Sequence, residues 1–159
     1  VRLVTLAVGT PRHPGLADAI RDFEDRAARY FAFETIEVPS GSGRGRGPDR
    51  VREDEADALI RRLPADLTTC ALTREGRTLD SRALADWLGE MSTYGLPGAA
   101  FLIGGAFGLH DRALARCERR VSLSRLTLPH EMARLVLAEQ IYRAGTILRG
   151  EPYHKGPGA

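Results

Sequence analysis

The spacing of hydrophobic positions changes period repeatedly along the chain. RLVTLAV (Arg2–Val8) is apolar enough for a buried strand and stops at GTPRHPG. Leu16, Ile20, Phe23, Ala27 and Tyr30 then recur at helical spacing among charged residues. FAFETIEV alternates like a strand, with Phe31, Phe33 and Thr35 on one side and Ile36 and Val38 on the other. PSGSGRGRGPDR offers no core residues, which predicts a mobile basic loop over about residues 40–48. A helix is expected over residues 49–63 and a strand over residues 66–72. TREGRTLDS reads as a turn, with Asp80 or Ser81 capping a helix that reaches Met91. GLPGAAFLIGG supplies a fourth strand, residues 109–119 a helix, and RVSLSRLTL a short fifth strand region. Residues 130–148 form the strongest helical pattern, with Met132, Leu135, Val136, Ala138 and Tyr142 on one broad face.

Five alternations of strand and helix predict an α/β fold, a mostly parallel sheet flanked by helices. Residues 1–159 are long enough for one domain with a core and too short for two, with a frayed tail over about residues 150–159. Ligands of such sheets bind beyond the C-terminal ends of strands. Three loops qualify: those after Leu72, Ile103 and Leu123.

Composition narrows the function classes only slightly. No apolar run approaches a membrane span, and the apolar N-terminus reads as a strand, not an export signal. Cys70 and Cys117 lie far apart in apolar or amphipathic segments, as suits buried free thiols in a cytoplasmic protein. The net charge of +2 identifies no partner. Basic residues nevertheless gather: Arg44, Arg46 and Arg50 in the basic loop, and Arg143, Arg149, His154 and Lys155 near the end. Together they form a candidate RNA-contacting set.

Familiar catalytic motifs are incomplete. GGAFG is not a dinucleotide fingerprint and follows the wrong strand, so Gly104 and Gly105 mark either a tight strand-to-helix turn or a ligand wall. HEMAR carries Arg134 where a zinc peptidase needs its second histidine, and the four histidines have no ligand spacing; no metal is expected. His130 caps a helix or positions a loop. Ser122 and Ser124 lack a nucleophile elbow and either bind ligand or cap backbone groups.

Taken together, VTLAVGT, FLIGGAFGL, LSRLTLPHEMARLVLAEQIYRA and the terminal PYHK closely resemble the bacterial RlmH family. Its members are 23S ribosomal RNA pseudouridine N3-methyltransferases of the SPOUT superfamily. The resemblance runs nearly end to end. It implies a SPOUT-type sheet with a C-terminal trefoil knot, S-adenosylmethionine as cofactor and a homodimer with each cofactor site beside the partner subunit. It also implies assembled ribosomes as substrate, without a separate RNA-binding domain. A noncatalytic ribosome- or RNA-binding protein on the same scaffold is the alternative.

Carried over by residue, the resemblance assigns cofactor contacts to Leu72, to Gly104 and Gly105, and to Ser124, Arg125, Leu126, Thr127, Leu128 and Pro129. Tyr153 and His154 match the family's terminal pair and are expected, with Lys155, Arg44 and Arg46, to contact RNA. Arg134, Arg143 or His154 would stabilise the anion developing at N3, with His154 also a candidate base. Ala106 and Phe107 depart from residues frequent in relatives, as does Gly145, where a tryptophan is common in some members.

Overall fold

The computed structural model describes residues 1–43 and 45–156; Arg44, one of the expected RNA contacts, lies outside the described residues. Its strands are β1 (Arg2–Val8), β2 (Ala32–Val38), β3 (Thr68–Thr78), β4 (Gly98–Ile103) and β5 (Arg119–Ser122). The helices are α1 (Pro14–Ala27), α2 (Pro48–Arg62), α3 (Ser81–Thr93), α4 (Asp111–Ala115) and α5 (His130–Leu148). The strands form one sheet in the order β2-β1-β4-β3-β5, and every pairing is parallel.

A parallel sheet needs cover on both faces, and the two-residue period of the central strands provides it. Leu3 and Ala7 of β1 and Ala99, Phe101 and Ile103 of β4 join a core with Leu84, Trp87, Leu88 and Met91 of α3 and Leu137, Ile141 and Ala144 of α5. The alternate residues Val4, Leu6, Val8, Ala100 and Leu102 pack with Val38 of β2 and Leu59 of α2 on the opposite face. All six residues of β4 are buried.

Helix starts follow from local chemistry. Asp80 caps α3, its Oδ1 accepting from the Ala83 N–H at 2.7 Å. His13 and His110 cap α1 and α4, each Nδ1 accepting a backbone N–H, from Leu16 at 3.3 Å and Arg112 at 3.1 Å. His130 opens α5, whose N-cap is Pro129 and has no side-chain capping bond.

Four expectations are corrected. The polar TREGRT does not turn away after Leu72: β3 continues to Thr78 through a bulge between Leu72 and Arg77, where it pairs β5. A Cβ at Gly76 would lie 2.6 Å from the Val121 backbone, so the absent side chain lets the two strands meet. The fourth helix is a single short turn, and residues after Ser122 leave the sheet. In α5 the buried stripe is Arg134, Leu137, Ala138, Ile141, Ala144 and Gly145. Met132, Leu135 and Val136 are only half-buried.

The tail also departs from the frayed end expected. Tyr153 packs against Tyr142 in a tilted arrangement, 4.6 Å between ring centroids, and donates its hydroxyl to Glu139 at 3.0 Å. Gly145 explains how α5 does without a large residue there. A Cβ would meet Tyr30 Cγ at 2.4 Å and Cβ at 2.6 Å, so the Tyr30 ring occupies that space. At Gly89 of α3, by contrast, an added Cβ meets mainly the tip of Leu148, which can rotate away.

Gly89→Ala should therefore keep or raise stability, by up to about 1 kcal/mol from helix propensity. Gly145→Ala should lower it by about 1–3 kcal/mol, because the clash outweighs the same gain. Urea denaturation of both variants checks the opposite signs.

Candidate functional site

The bulge of β3, the end of β4 and the segment after β5 lie beside a cleft of about 860 Å³. Its walls are residues 72–75, 103–109, 123–124 and 126–130, closed by Arg52 of α2, Leu114 of α4 and Ala133 of α5. The three segments selected by the strand-end rule thus meet in one place, although the first is a bulge within β3 and not a loop.

The β4 wall is a tight turn. The Gly108 N–H donates to the Gly105 carbonyl at 3.1 Å, and Gly108 adopts φ +78°, which favours glycine. Gly104 sits beneath this turn, where a Cβ would lie 2.7 Å from the Gly108 carbonyl carbon. Gly105 instead faces Glu55 of α2; a Cβ there would lie 2.8 Å from both carboxylate oxygens. The glycine pair therefore answers to close approach by its own chain, and that packing shapes a cleft wall. Ala106 and Phe107 form the turn's tip, with Phe107 47% exposed.

The wall after β5 is held by its two serines. Ser122 is buried and donates its hydroxyl to the Ser124 carbonyl at 2.9 Å; Ser124 Oγ accepts from the Leu126 N–H at 3.0 Å. Both serines thus organise backbone. Thr127 Oγ1 accepts from Arg74 at 2.9 Å, joining this wall to β3. Leu126 is left 75% exposed.

Of the residues expected to hold a cofactor, Leu72, Gly104, Gly105, Ser124, Leu126, Thr127, Leu128 and Pro129 line the cleft. Arg125 is exposed and is not among the lining residues. Arg52, His130 and Ala133 were missed by sequence reasoning. His130 and Ala133 follow directly from the 124–129 run, but no local signal in α2 pointed to Arg52.

The residues expected to act on the acceptor lie elsewhere. Arg143 Nη2 pairs with Glu139 at 2.5 Å, its guanidinium lies 4.7 Å from the Tyr153 ring centroid, and Nη1 approaches His154 Nδ1 at 3.4 Å. Burial, and then the bond to the Glu139 carboxylate, push the Tyr153 phenol above its ordinary value, so it stays a donor at neutral pH. Ten residues of α5 separate Ala133 in the cleft from Arg143, about 15 Å along the axis. Within one chain, this cluster and the cleft do not meet.

Arg134 takes a part different from the one expected. It is 7% exposed, and its guanidinium donates to Glu24 at 3.0 Å and Glu37 at 2.8 Å, tying α5 to α1 and β2. Its charge is committed to those carboxylates and is not turned into the large cleft. Arg46 is paired with Asp54, while Lys155 is exposed. Burial of Cys70 pushes its thiol up to about 12, which leaves it unreactive. Among the described residues no group of three or more histidine, cysteine, aspartate or glutamate side chains could hold a metal ion, and no helix is long and apolar enough to cross a membrane.

A family model described as a predicted SPOUT methyltransferase matches residues 1–154. The chain is 53% identical over 155 residues to the ribosomal RNA large subunit methyltransferase H of Gemmatimonas aurantiaca, covering 98% of this chain and 100% of the relative. The protein of the same name from an Anaeromyxobacter species is 43% identical at the same coverage. Among solved structures, a probable methyltransferase from Bordetella pertussis Tohama I shares the fold, with a TM-score of 0.53 at 17% identity over 89% of this chain and 95% of that one.

The Arg134 cluster yields a test with a definite sign. Burial alone would raise Glu37, but hydrogen bonds from Thr10 and Arg134, with the arginine's charge, hold it below the ordinary carboxylate value. A depressed carboxylate stabilises the fold at pH values above its unfolded pKa, and that contribution disappears as pH falls through the folded value. Arg134→Met should cost about 2–3 kcal/mol near neutrality, less than a fully buried pair would, since the Glu37 side chain is 35% exposed. The gap from wild type should narrow as pH falls from about 6 to about 3, measured by urea denaturation.

Proposed function

This chain belongs to the SPOUT methyltransferase family, and we propose on that premise that it methylates N3 of a pseudouridine in 23S ribosomal RNA, using S-adenosylmethionine. The observation that carries the reading is full-length identity of 53% to a ribosomal RNA large subunit methyltransferase H, joined to a cleft built from the family's motif segments. The cleft fits the cofactor. The tight turn at Gly104 and Gly105 offers a backbone wall, Leu72, Leu126 and Leu128 offer apolar contact, and the 124–129 segment carries backbone groups for a nucleobase edge. Bound there, S-adenosylmethionine supplies an electrophilic methyl group on its sulfonium.

The protein's share of the chemistry is orientation and charge. Leu126 and Phe107, exposed at the cleft, shield the donor from water. Tyr153 and His154 hold the acceptor base, with Arg143 beside them to favour the N3 anion. Since this cluster lies about 15 Å along α5 from the cleft of its own chain, the tail that serves each cleft comes from a second copy. The half-buried Met132, Leu135 and Val136, next to the cleft residues His130 and Ala133, support a homodimer packed through α5. The reading includes a trefoil knot around the 124–129 segment, Lys155 and the basic segment around Arg44 and Arg46 as RNA contacts, and action on assembled ribosomes in the cytoplasm.

Incubation with ribosomes lacking the modification and methyl-labelled S-adenosylmethionine, followed by nucleoside analysis, should yield labelled N3-methylpseudouridine. Cofactor binding without label would favour a noncatalytic RNA-binding protein. Gly104→Ala should weaken cofactor binding about tenfold or more, because a Cβ has no room under the turn. His154→Ala should lower kcat about a hundredfold and leave the cofactor Kd nearly unchanged. Unchanged turnover across pH would remove His154 from the chemistry.

A further inference from the structure

Glu55 is the one buried acidic side chain among the described residues, 2% exposed. It projects from α2 to the back of the β4 turn. Oε1 accepts from the Gly41 N–H at 3.2 Å and the Ser40 hydroxyl at 3.4 Å. Oε2 has no hydrogen-bond partner although it is fully buried. The Gly105 position is so close that a Cβ there would lie 2.8 Å from each oxygen. Burial pushes this carboxyl up; the Gly41 and Ser40 hydrogen bonds, His130 and the Gly105 N–H act in the opposite direction. The Gly105 N–H thus helps to stabilise the charge, while Oε2 keeps no hydrogen-bond partner.

An orphaned buried acceptor is costly and normally meets a donor. The backbone it faces is the cleft wall assigned to the cofactor, and its other oxygen is already spent on the segment leading to the basic loop. We propose that Glu55 is a positioning residue for that wall: Oε1 anchors the 40–41 segment, and Oε2 is the acceptor on which the Gly105 N–H seats when the cleft is filled. The proposal rests on the S-adenosylmethionine reading of the cleft. Glu55 itself is not among the cleft-lining residues; it acts through Gly105.

Glu55→Gln separates this role from simple packing. The amide keeps one oxygen for Gly41 and places an NH₂ donor opposite the Gly105 N–H. The variant should raise the S-adenosylmethionine Kd and KM about tenfold while leaving the KM for ribosomes near wild type. Amide exchange, read by NMR with both proteins saturated by S-adenosylmethionine, should quicken at Gly105 and stay slow through β4. Equal Kd and equal Gly105 exchange in the two proteins would overturn the proposal. Should Glu55→Gln fail to fold, Gly105→Ala tests the same contact from the other side. Its loss of cofactor affinity should be recovered in part when Glu55→Ser shortens the facing side chain, and no recovery would count against the contact. A folded wild-type chain that binds no S-adenosylmethionine overturns the cofactor reading instead. The Glu55 contact is then judged by stability: Gly105→Ala should cost less in the Glu55→Ser background than in wild type, and an equal loss in urea denaturation overturns it.

Discussion

The end of β4 is the constraint on which the site depends. The strand lies between β1 and β3, is buried along its whole length, and runs directly into Gly104, which has backbone of the same turn packed over it. A buried strand cannot shift without breaking two ladders of hydrogen bonds and both hydrophobic layers. The turn at its end inherits that rigidity. The walls contributed by β3 and by the segment after β5 are then placed relative to β4 by sheet pairing, which is why three sequence-distant loops form one cleft.

Around this rigid centre, polar groups do two separate jobs. Arg134 holds α5 to α1 and β2 through Glu24 and Glu37, and Arg143 gathers Glu139, Tyr153 and His154 at the far end of the same helix. The first cluster fixes where α5 begins, beside the cleft; the second orders a tail that composition would leave loose. Neither arginine is a free charge. Each is largely neutralised by carboxylates, so both shape the fold through geometry more than through field.

Much of the fold was legible in the residues because its signals are local. Ala99 through Ile103 and, apart from Thr5, Leu3 through Val8 are apolar at every second position twice over, as a strand buried on both faces requires. The 130–148 helix has the boundaries its pattern indicates, and Asp80 caps α3. The candidate site was legible by a different route: the strand-end rule chose the loops, and resemblance supplied the ligand. Arg52 and Glu55 were not found either way. Both sit on a charged helix where nothing distinguishes an arginine or glutamate turned inward from one in water.

The amino-acid sequence by itself determined the alternation of strands and helices, the two-faced core and the places where backbone must approach backbone, because periodicity, capping and a missing side chain act within a few residues. Tertiary structure decided the continuation of β3 through a polar segment, the rotation of the buried stripe in α5, the pairing of Arg134 with Glu24 and Glu37, and the burial of Glu55 behind Gly105. These depend on groups up to more than a hundred residues apart meeting at one point. No local pattern encodes such a meeting, since its energy exists only once the sheet has brought the partners together.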